Sequence, residues 1–398
     1  MTVSALYSNR PSSSGDPRVV VRVFALTDVG HTREHNEDTY LVADLESGEP
    51  VLFDSTPRVL PAEAHGMLFL VADGMGGAAS GEIASSMAGS EVLSVLRDRW
   101  RGHQRPSPDE FATVLRDATI FANSRIHGFA RENPEHRGMG TTATIAGLLG
   151  DTLYVAQVGD SRAYLVRNGV ARQLTKDQSL MQRLVEAGEL TPEQAEASER
   201  RNIILQALGP ESHVTIDLTH QQVRRGDMLI LCSDGLSGLV RTEEIGRIAH
   251  ESNDASTICR RLVNRANELG GPDNITVIAA TFDGDALEYL GAGDAVGYNT
   301  YPLAGTLNHD TAEEPVPAPP LKSRLRSDPT PKYGIPAPTA SAIEEEFARA
   351  RAAEDARILG APEEVVEERR RKVEPVFLAL ALVATVAVLW FLVSLFRD

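Results

Sequence analysis

The chain has 398 residues, of which 42% are hydrophobic, and it carries a formal net charge of −17. This length allows two or three average domains, and this hydrophobic fraction supports a sizeable core. The negative charge argues against nonspecific nucleic-acid binding, which depends on neutralising phosphates with lysine and arginine. Cys232 and Cys259 belong to no Cys-x-x-Cys pair, so they predict neither a cysteine zinc site nor a disulfide framework.

The N-terminal two thirds of the chain has β character interrupted by pairs of helices. Residues 1–17 lack a signal pattern and are predicted to be a disordered lead. Apolar, β-prone runs predict strands over Val19–Leu26, Thr39–Ala43, Met67–Ala72, Thr142–Leu148, Leu153–Val158, Ala163–Val166, Met228–Cys232 and Ile275–Thr281. Helical spacing predicts helices over Ser80–Arg99, Asp109–Asn133, Thr242–His250 and Ala255–Leu269. This order indicates an α+β protein built on antiparallel sheets.

Two polar stretches interrupt this pattern. Glu46–Gly66 contains turn signals and is interpreted as an insertion. Residues 179–208 are polar and helix-prone, and an excursion of this length inside a domain predicts a lid or recognition flap.

The composition changes after residue 283. Residues 284–340 are rich in proline and alanine and are predicted to be a disordered linker. Residues 341–374 are charged and helix-prone, which predicts a juxtamembrane helix. Residues 375–396 contain no charged side chain and would span roughly 30 Å as a helix, about one hydrocarbon core. We expect a transmembrane helix here, although a buried core helix is the alternative.

The charges that flank this apolar segment predict its orientation. The basic run Arg369–Lys372 lies just before it, and only Arg397 and Asp398 follow. Because positive charge accumulates on the cytoplasmic side, we expect a single-pass membrane protein whose main domain is cytoplasmic.

Short acidic motifs indicate the chemistry. Asp73, Asp160 and Asp234 each follow an apolar run and precede Gly or Ser, while Asp38 and Asp273 lie in further acidic motifs. Carboxylates at strand ends can converge, and convergent carboxylates predict a hard divalent cation. Each motif alone is weak evidence, because Asp-Gly is a common turn dipeptide.

Two neighbouring features add to the predicted metal site. The glycines of Gly74–Gly77 match neither the dinucleotide fingerprint nor the Walker pattern, so they more simply let a backbone carbonyl approach a metal. Arg33 by itself would be an ordinary surface ion-pair partner. Beside a carboxylate cluster its guanidinium can hold a phosphate instead.

Taken together, the order and spacing of these motifs resemble the metal-dependent PPM/PP2C family of serine/threonine protein phosphatases, in its bacterial form. The resemblance covers residues 18–283 and includes Gly138–Thr142 and the segments that flank the flap, Leu174–Asp177 and Asn202–Gly209. It implies a central β-sandwich of two antiparallel sheets flanked by helices, with metals at one end.

The resemblance also implies a role for each site residue. Asp73 would bridge two Mn²⁺ or Mg²⁺ ions, Asp160 with Asp234 would hold a third ion, and Arg33 would bind phosphate. The implied metal ligands are Glu37, Asp38, Asp73, the Gly74 carbonyl, Asp160, Asp234 and Asp273.

The implied reaction is direct attack on phosphorus by a hydroxide between the metals. It needs no phosphoenzyme, so Ser161 and Cys232 are not expected to be nucleophiles. Many eukaryotic relatives have histidine as a proposed general acid where this chain has Met75, and methionine cannot donate a proton. The general acid is therefore unassigned.

These inferences predict a protein phosphatase that opposes serine/threonine kinases at the membrane and does not bind nucleic acid. Two alternatives stay open at this point. One is a phosphatase of a regulatory anti-sigma antagonist or of a small phosphoester. The other is a catalytically silent binding module.

Overall fold

The computed structural model describes residues 18–100, 105–196, 198, 200, 202–291 and 294–303, which all belong to one compact unit of the chain. The predicted lead, most of the predicted linker, the juxtamembrane helix and the transmembrane segment lie outside these ranges. Within them, no helix is both long enough and apolar enough to cross a bilayer.

Two antiparallel sheets form the centre of the fold. The first contains, in spatial order, β10 (Val170–Gln173), β9 (Arg162–Arg167), β12 (Met228–Cys232), β13 (Ile275–Asp283), β1 (Val19–Asp28) and β4 (Arg58–Ala62). The second contains β11 (Asp217–Gln222), β8 (Thr152–Val158), β7 (Ala143–Leu149), β5 (Met67–Met75), β2 (Asp38–Asp44) and β3 (Glu49–Pro50), with the short β6 (Gly140–Thr141) beside β5.

Helices cover the outer face of each sheet. The long helices α1 (Ala78–Trp100) and α2 (Pro108–Glu132) pack on the second sheet. The first sheet carries α6 (Thr242–His250) and α7 (Ala255–Glu268). Three shorter α-helices follow, namely α3 (Leu180–Glu186), α4 (Pro192–Glu196) and α5 (Asp234–Ser237), and Pro134–His136 form a short 3₁₀ helix after α2.

Strand β5 shows why the layers stack in this order. Its side chains alternate between the two faces of the sheet. Phe69 and Val71 enter the core between the two sheets, whereas Leu68 and Leu70 enter the core beneath α1 and α2. A continuous apolar run is therefore needed here, because both faces of this central strand are buried.

The predicted four-layer α+β fold is confirmed. Every strand and long helix predicted from the sequence is present. The predicted insertion Glu46–Gly66 is also used structurally, since β3 and β4 within it form one edge of each sheet. The flap contains α3 and α4, and Ser179 caps α3 by accepting a hydrogen bond from the amide of Gln182.

The packed part of the chain continues beyond the predicted boundary at residue 283. Residues 294–303, hereafter the strap, run along the outer edge of β11. The amide of His220 donates to the carbonyl of Asn299 (2.9 Å), and the amide of Tyr301 donates to that of Leu218 (2.8 Å). Leu303 is buried in the core beneath α1 and α2. An edge strand presents unpaired backbone groups, and the strap covers them.

Candidate metal centre

The predicted acidic residues meet at one end of the sandwich. Asp38 begins β2 and lies directly opposite Asp73 at the end of β5. Asp160 follows β8 and Asp234 follows β12, while Asp273 precedes β13. Because neighbouring strands are antiparallel, the end of one lies beside the start of the next. The topology therefore brings distant parts of the chain to the same edge.

Asp73 lies at the electrostatic centre of this group. Burial raises the pKa of its carboxyl well above the usual value, and the charges of Asp38, Asp234, Asp160 and Asp273 raise it further. Its backbone is fixed by Thr142, whose hydroxyl accepts from the Asp73 amide (2.9 Å) and whose amide donates to the Asp73 carbonyl (2.9 Å). The cluster thus carries an excess of negative charge around a rigid strand end.

Asp38 is buried, and only one of its two carboxylate oxygens has a hydrogen-bond partner among the described residues. The hydroxyl of Ser233 donates to its Oδ2 (2.7 Å), but its Oδ1 has no hydrogen-bond partner among the described residues. Burial raises the pKa of Asp38 to about 7, against the opposing effect of the nearby Thr276 and Ser233 hydroxyls. A buried carboxylate oxygen without a partner is costly, so this atom needs a ligand.

Asp160 and Asp234 resemble Asp38 in their hydrogen bonding. Each has a buried Oδ1 with no hydrogen-bond partner in the part of the chain that the structure describes. Burial raises the pKa of Asp160 to about 8, with a further contribution from the charge of Asp234. The pKa of Asp234 is also raised, by burial and then by the charge of Asp273.

Glu37 and Gly74 meet the start of α1 in a close backbone contact. The amide of Gly74 donates to the Glu37 carbonyl (3.2 Å). A Cβ at Gly74 would lie 2.2 Å from the Gly81 carbonyl oxygen, and a Cβ at Gly81 would lie 2.9 Å from the Gly74 carbonyl carbon. Both positions therefore require glycine. Burial raises the pKa of Glu37, as expected for a carboxylate held against backbone.

Arg33 lies at the edge of the cluster. Its Nη2 donates to Asp273 Oδ2 (2.8 Å), and half of its side chain is exposed. This bond raises the pKa of Arg33, and the charges of Glu37 and Asp73 act in the same direction. One guanidinium edge is therefore engaged with a predicted metal ligand, while the rest of the side chain can meet a solute.

A cavity of about 880 Å³ extends from this cluster beneath the flap. Arg33, Asp160, Asp234 and Asp273 line one part of it, and residues of α3 and α4 line another. The volume exceeds what a phosphoryl group needs, so it leaves room for the groups attached to one.

Sequence reasoning did not identify the residues that support the cluster. Asn274 ties the loop before β2 in place, because its Oδ1 accepts from the Glu37 amide (2.8 Å) and its Nδ2 donates to the carbonyls of Val29 (3.0 Å) and His35 (2.9 Å). Ser233 supports Asp38 as described. Both residues adjoin a predicted ligand, and that adjacency was the available signal.

The donor set fits hard divalent cations. It consists of carboxylate oxygens and a backbone carbonyl, which Mg²⁺ and Mn²⁺ prefer, and the unpartnered oxygens call for cations. No three His, Cys, Asp or Glu side chains of the described ranges already enclose an ion by themselves. Like charges repel when no cation lies between them, and Mg²⁺ usually retains several waters between itself and its ligands.

Neither candidate side-chain nucleophile is suited to attack. The hydroxyl of Ser161 is buried against that of Thr142 (2.8 Å). Cys232 is buried, which raises the pKa of its thiol to about 12. The Ser161 hydroxyl is engaged in a hydrogen bond, and the Cys232 side chain packs in a hydrophobic core. Met75 ends β5 opposite Gly140 of β6, and its thioether has no proton to donate.

Comparisons with known proteins indicate the family of this chain. A family model for protein phosphatase 2C matches residues 53–186. The chain is 36% identical over 258 residues to serine/threonine phosphatase stp of Listeria monocytogenes, covering 65% of this chain and 94% of that relative.

Solved structures extend the likeness to the fold. The serine/threonine phosphatase PstP/Ppp of Mycobacterium tuberculosis is 34% identical with a TM-score of 0.56, covering 66% of this chain and 99% of that structure. A PstP catalytic domain in complex with 2 manganese ions is 33% identical with a TM-score of 0.54, covering 67% of this chain and 99% of that structure. The chain therefore belongs to the protein phosphatase 2C family.

Proposed function

We infer that this protein is a metal-dependent phosphatase that hydrolyses phosphoserine and phosphothreonine in proteins. The observation that carries the inference is the cluster of buried carboxylate oxygens on Asp38, Asp160 and Asp234 around Asp73, which have no hydrogen-bond partner among the described residues. The neighbouring Arg33 and the open cavity supply what a phosphorylated substrate needs. The named relatives are serine/threonine phosphatases, which supports the substrate class.

The cofactors we propose are Mn²⁺ or Mg²⁺, supported by the oxygen donor set and by the manganese in the related PstP domain. Asp73 would contact two ions, with Asp234 and Asp273 on one side and Glu37, Asp38 and the Gly74 carbonyl on the other. Asp160 with Asp234 would hold a third ion. When bound, such ions supply a deprotonated water as nucleophile and offset charge on the phosphoryl oxygens.

The chain's own residues orient the substrate and keep the site in shape. The Arg33 guanidinium can turn its free edge towards a phosphoryl group while Asp273 holds the other edge. Thr142, Ser233 and Asn274 hold the strand ends, so the carboxylates are placed before substrate binds. The general acid stays unassigned, because Met75 has no proton to give.

The experiment is hydrolysis of a phosphothreonine peptide and of para-nitrophenyl phosphate by the metal-stripped protein, with and without added Mn²⁺. We expect no turnover in EDTA and recovery with Mn²⁺. Turnover that persists without a divalent cation would overturn the metal-dependent assignment. Hydrolysis of para-nitrophenyl phosphate alone would favour the small-phosphoester alternative. Mn²⁺ binding without turnover of either substrate would favour a silent binding module.

We also propose that the phosphatase is a single-pass membrane protein with its catalytic domain in the cytoplasm, acting on the substrates of serine/threonine kinases. The support is the uncharged segment 375–396 and the basic run before it. In fractionated cells, the full chain should be in the membrane pellet, and a chain ending at Leu303 should be in the supernatant. Equal distribution of the two would contradict the anchor.

A further inference from the structure

A buried arginine–aspartate pair adjoins the candidate metal centre. Arg162 begins β9, two residues after Asp160, and its guanidinium grips both carboxylate oxygens of Asp177. The Nε atom lies 2.9 Å and 3.0 Å from the two oxygens, and Nη2 lies 2.6 Å from Oδ2. Both side chains are mostly buried, and both line the cavity next to the carboxylate cluster. Such a fork fixes the two partners in one geometry.

The segment that supplies Asp177 also leads into the flap. The next residue, Gln178, binds the turn before Asp160 from the other side. Its side-chain Oε1 accepts from the Gly159 backbone amide (2.9 Å), and its backbone amide donates to the Gly159 carbonyl (2.8 Å). Ser179 then caps α3, the first helix of the flap. Asp177 and Gln178, hereafter the root of the flap, thus each form hydrogen bonds to the turn that contains Asp160.

The charge of Arg162 would disturb the site if it were unpaired. Arg162 lies two residues after Asp160 and lines the same cavity as Asp160 and Asp234. Asp177 holds the guanidinium and balances its charge. Without this partner, a buried cation would be left beside two carboxylates that are needed for metal ions.

We propose that the Arg162–Asp177 pair is a positioning clamp that holds the Asp160 turn on the root of the flap and keeps the guanidinium from competing for the metal ligands. The proposal rests on the proposed function, because it concerns ion binding at the same site. Asp177 is a positioning residue in this account, acting through Arg162 and the Asp160 turn. The clamp couples the order of the flap to the affinity for divalent ions.

The chain offers a matched control at the other end of β9. Arg167 grips Asp227 with the same fork, Nε to Oδ1 at 2.9 Å and Nη2 to Oδ2 at 2.5 Å. This pair is more deeply buried, with side chains 9% and 3% exposed. It contacts neither the flap nor the carboxylate cluster in the described structure. Loss of either pair should destabilise the fold, but only loss of the first should alter ion binding.

The test compares Asp177→Asn with Asp227→Asn in the full chain. Mn²⁺ affinity is measured by calorimetry, and flap order is measured by the rate of tryptic cleavage at Arg183 and Arg200 in the metal-free protein. We expect Asp177→Asn to weaken Mn²⁺ binding about tenfold or more and to speed cleavage in the flap. Asp227→Asn should leave both measurements at wild-type values while lowering the melting temperature.

Equal effects of the two substitutions, or wild-type Mn²⁺ affinity and cleavage in Asp177→Asn, would overturn the clamp. If Asp177→Asn does not fold, Arg162→Lys serves instead, because it keeps the charge and loses the fork. Arg162→Lys should also weaken Mn²⁺ binding and speed flap cleavage, and unchanged values would overturn the clamp. The proposed function is judged separately by Mn²⁺-dependent turnover of the wild type, and the cleavage rates assess the clamp even if that turnover is absent.

Discussion

The two ends of strands β9 and β12 carry two buried charged clusters that differ in how their charges are balanced. At one end, in what we call the open cluster, Asp38, Asp160 and Asp234 each keep a buried oxygen without a hydrogen-bond partner in the described structure. At the other end, in what we call the closed cluster, the aspartates form ion pairs with arginines. Arg167 grips Asp227, and Arg224 binds Asp294 of the strap, with Nε 2.9 Å from Oδ2.

The closed cluster also satisfies its remaining polar atoms. Asp227 Oδ2 accepts from the Arg224 amide (2.7 Å), and Arg167 donates to the Gln222 carbonyl (3.1 Å). Buried charge with complete pairing stabilises a fold through geometry, whereas buried charge without pairing costs stability until a ligand arrives. The difference separates a structural cluster from a binding site within one domain.

The largest expected effect comes from substituting one aspartate in each cluster. Asp73→Asn should lower phosphatase activity by at least about 10³-fold, while the metal-free protein melts at the same or a higher temperature because one buried negative charge is gone. Asp227→Asn should have the opposite effects on activity and on stability. It should retain activity per folded molecule and lose about 3–5 kcal/mol of stability, because it leaves Arg167 buried without its anion.

These two variants are measured by Mn²⁺-dependent hydrolysis of a phosphothreonine peptide and by thermal unfolding in EDTA. If both variants lose stability and both keep activity, the contrast between the clusters is wrong.

The strap provides a second test of the closed end. A chain ending at Gly291 keeps the buried Leu287 but loses the strap, with Leu303, Tyr301 and the partner of Arg224, whereas a chain ending at Leu303 keeps them. The shorter chain should be less stable by on the order of 3 kcal/mol, from the lost apolar burial alone. Urea unfolding of the two chains measures the difference. Equal midpoints would show that the strap adds nothing to the domain.

The smallest expected effect is the pH dependence of the metal-free protein. Asp38 and Asp160 have pKa values raised from 3.8 to about 7 and about 8. The folded protein therefore binds more protons than the unfolded chain between about pH 4 and pH 8, so its stability falls as pH rises through this window. In EDTA the melting temperature should be several degrees higher at pH 6 than at pH 8, at roughly 2–4 °C for each kcal/mol.

Saturating Mn²⁺ should remove most of this dependence, because the ions replace the protons on the carboxylates. A metal-free melting temperature that does not change between pH 6 and pH 8 would contradict the unpaired state of the open cluster.

Much of the fold could be predicted because the strands are long and strongly patterned. The continuous apolar run of β5 predicts a strand, and the helical spacing of apolar residues along α1 predicts a helix. The edge strands were harder. Strands β3, β4 and β11 are short or polar, and their pairing depends on neighbours distant in sequence. The strap was missed because it has only ten residues, among them Gly297, Asn299 and Pro302, which are typical of turns, although Tyr301 and Leu303 pack on the domain.

The candidate site divides in the same way. The aspartates could be predicted because each stands at the end of a recognisable strand, and the antiparallel topology then brings them together. The supporting residues could not, because Ser233, Asn274 and Asp177 act through contacts that the sequence does not show. A serine or asparagine beside an aspartate is common in ordinary turns, so its identity alone carries little information.

The most direct test of the central claim is a crystal structure of the wild-type protein grown with Mn²⁺, with anomalous scattering recorded at the manganese edge. We predict anomalous peaks bridged by Asp73, with the unpartnered oxygens of Asp38 and Asp234 bound to an ion or to its waters. A cluster without any anomalous peak, in a protein that still hydrolyses the phosphothreonine peptide, would contradict the account.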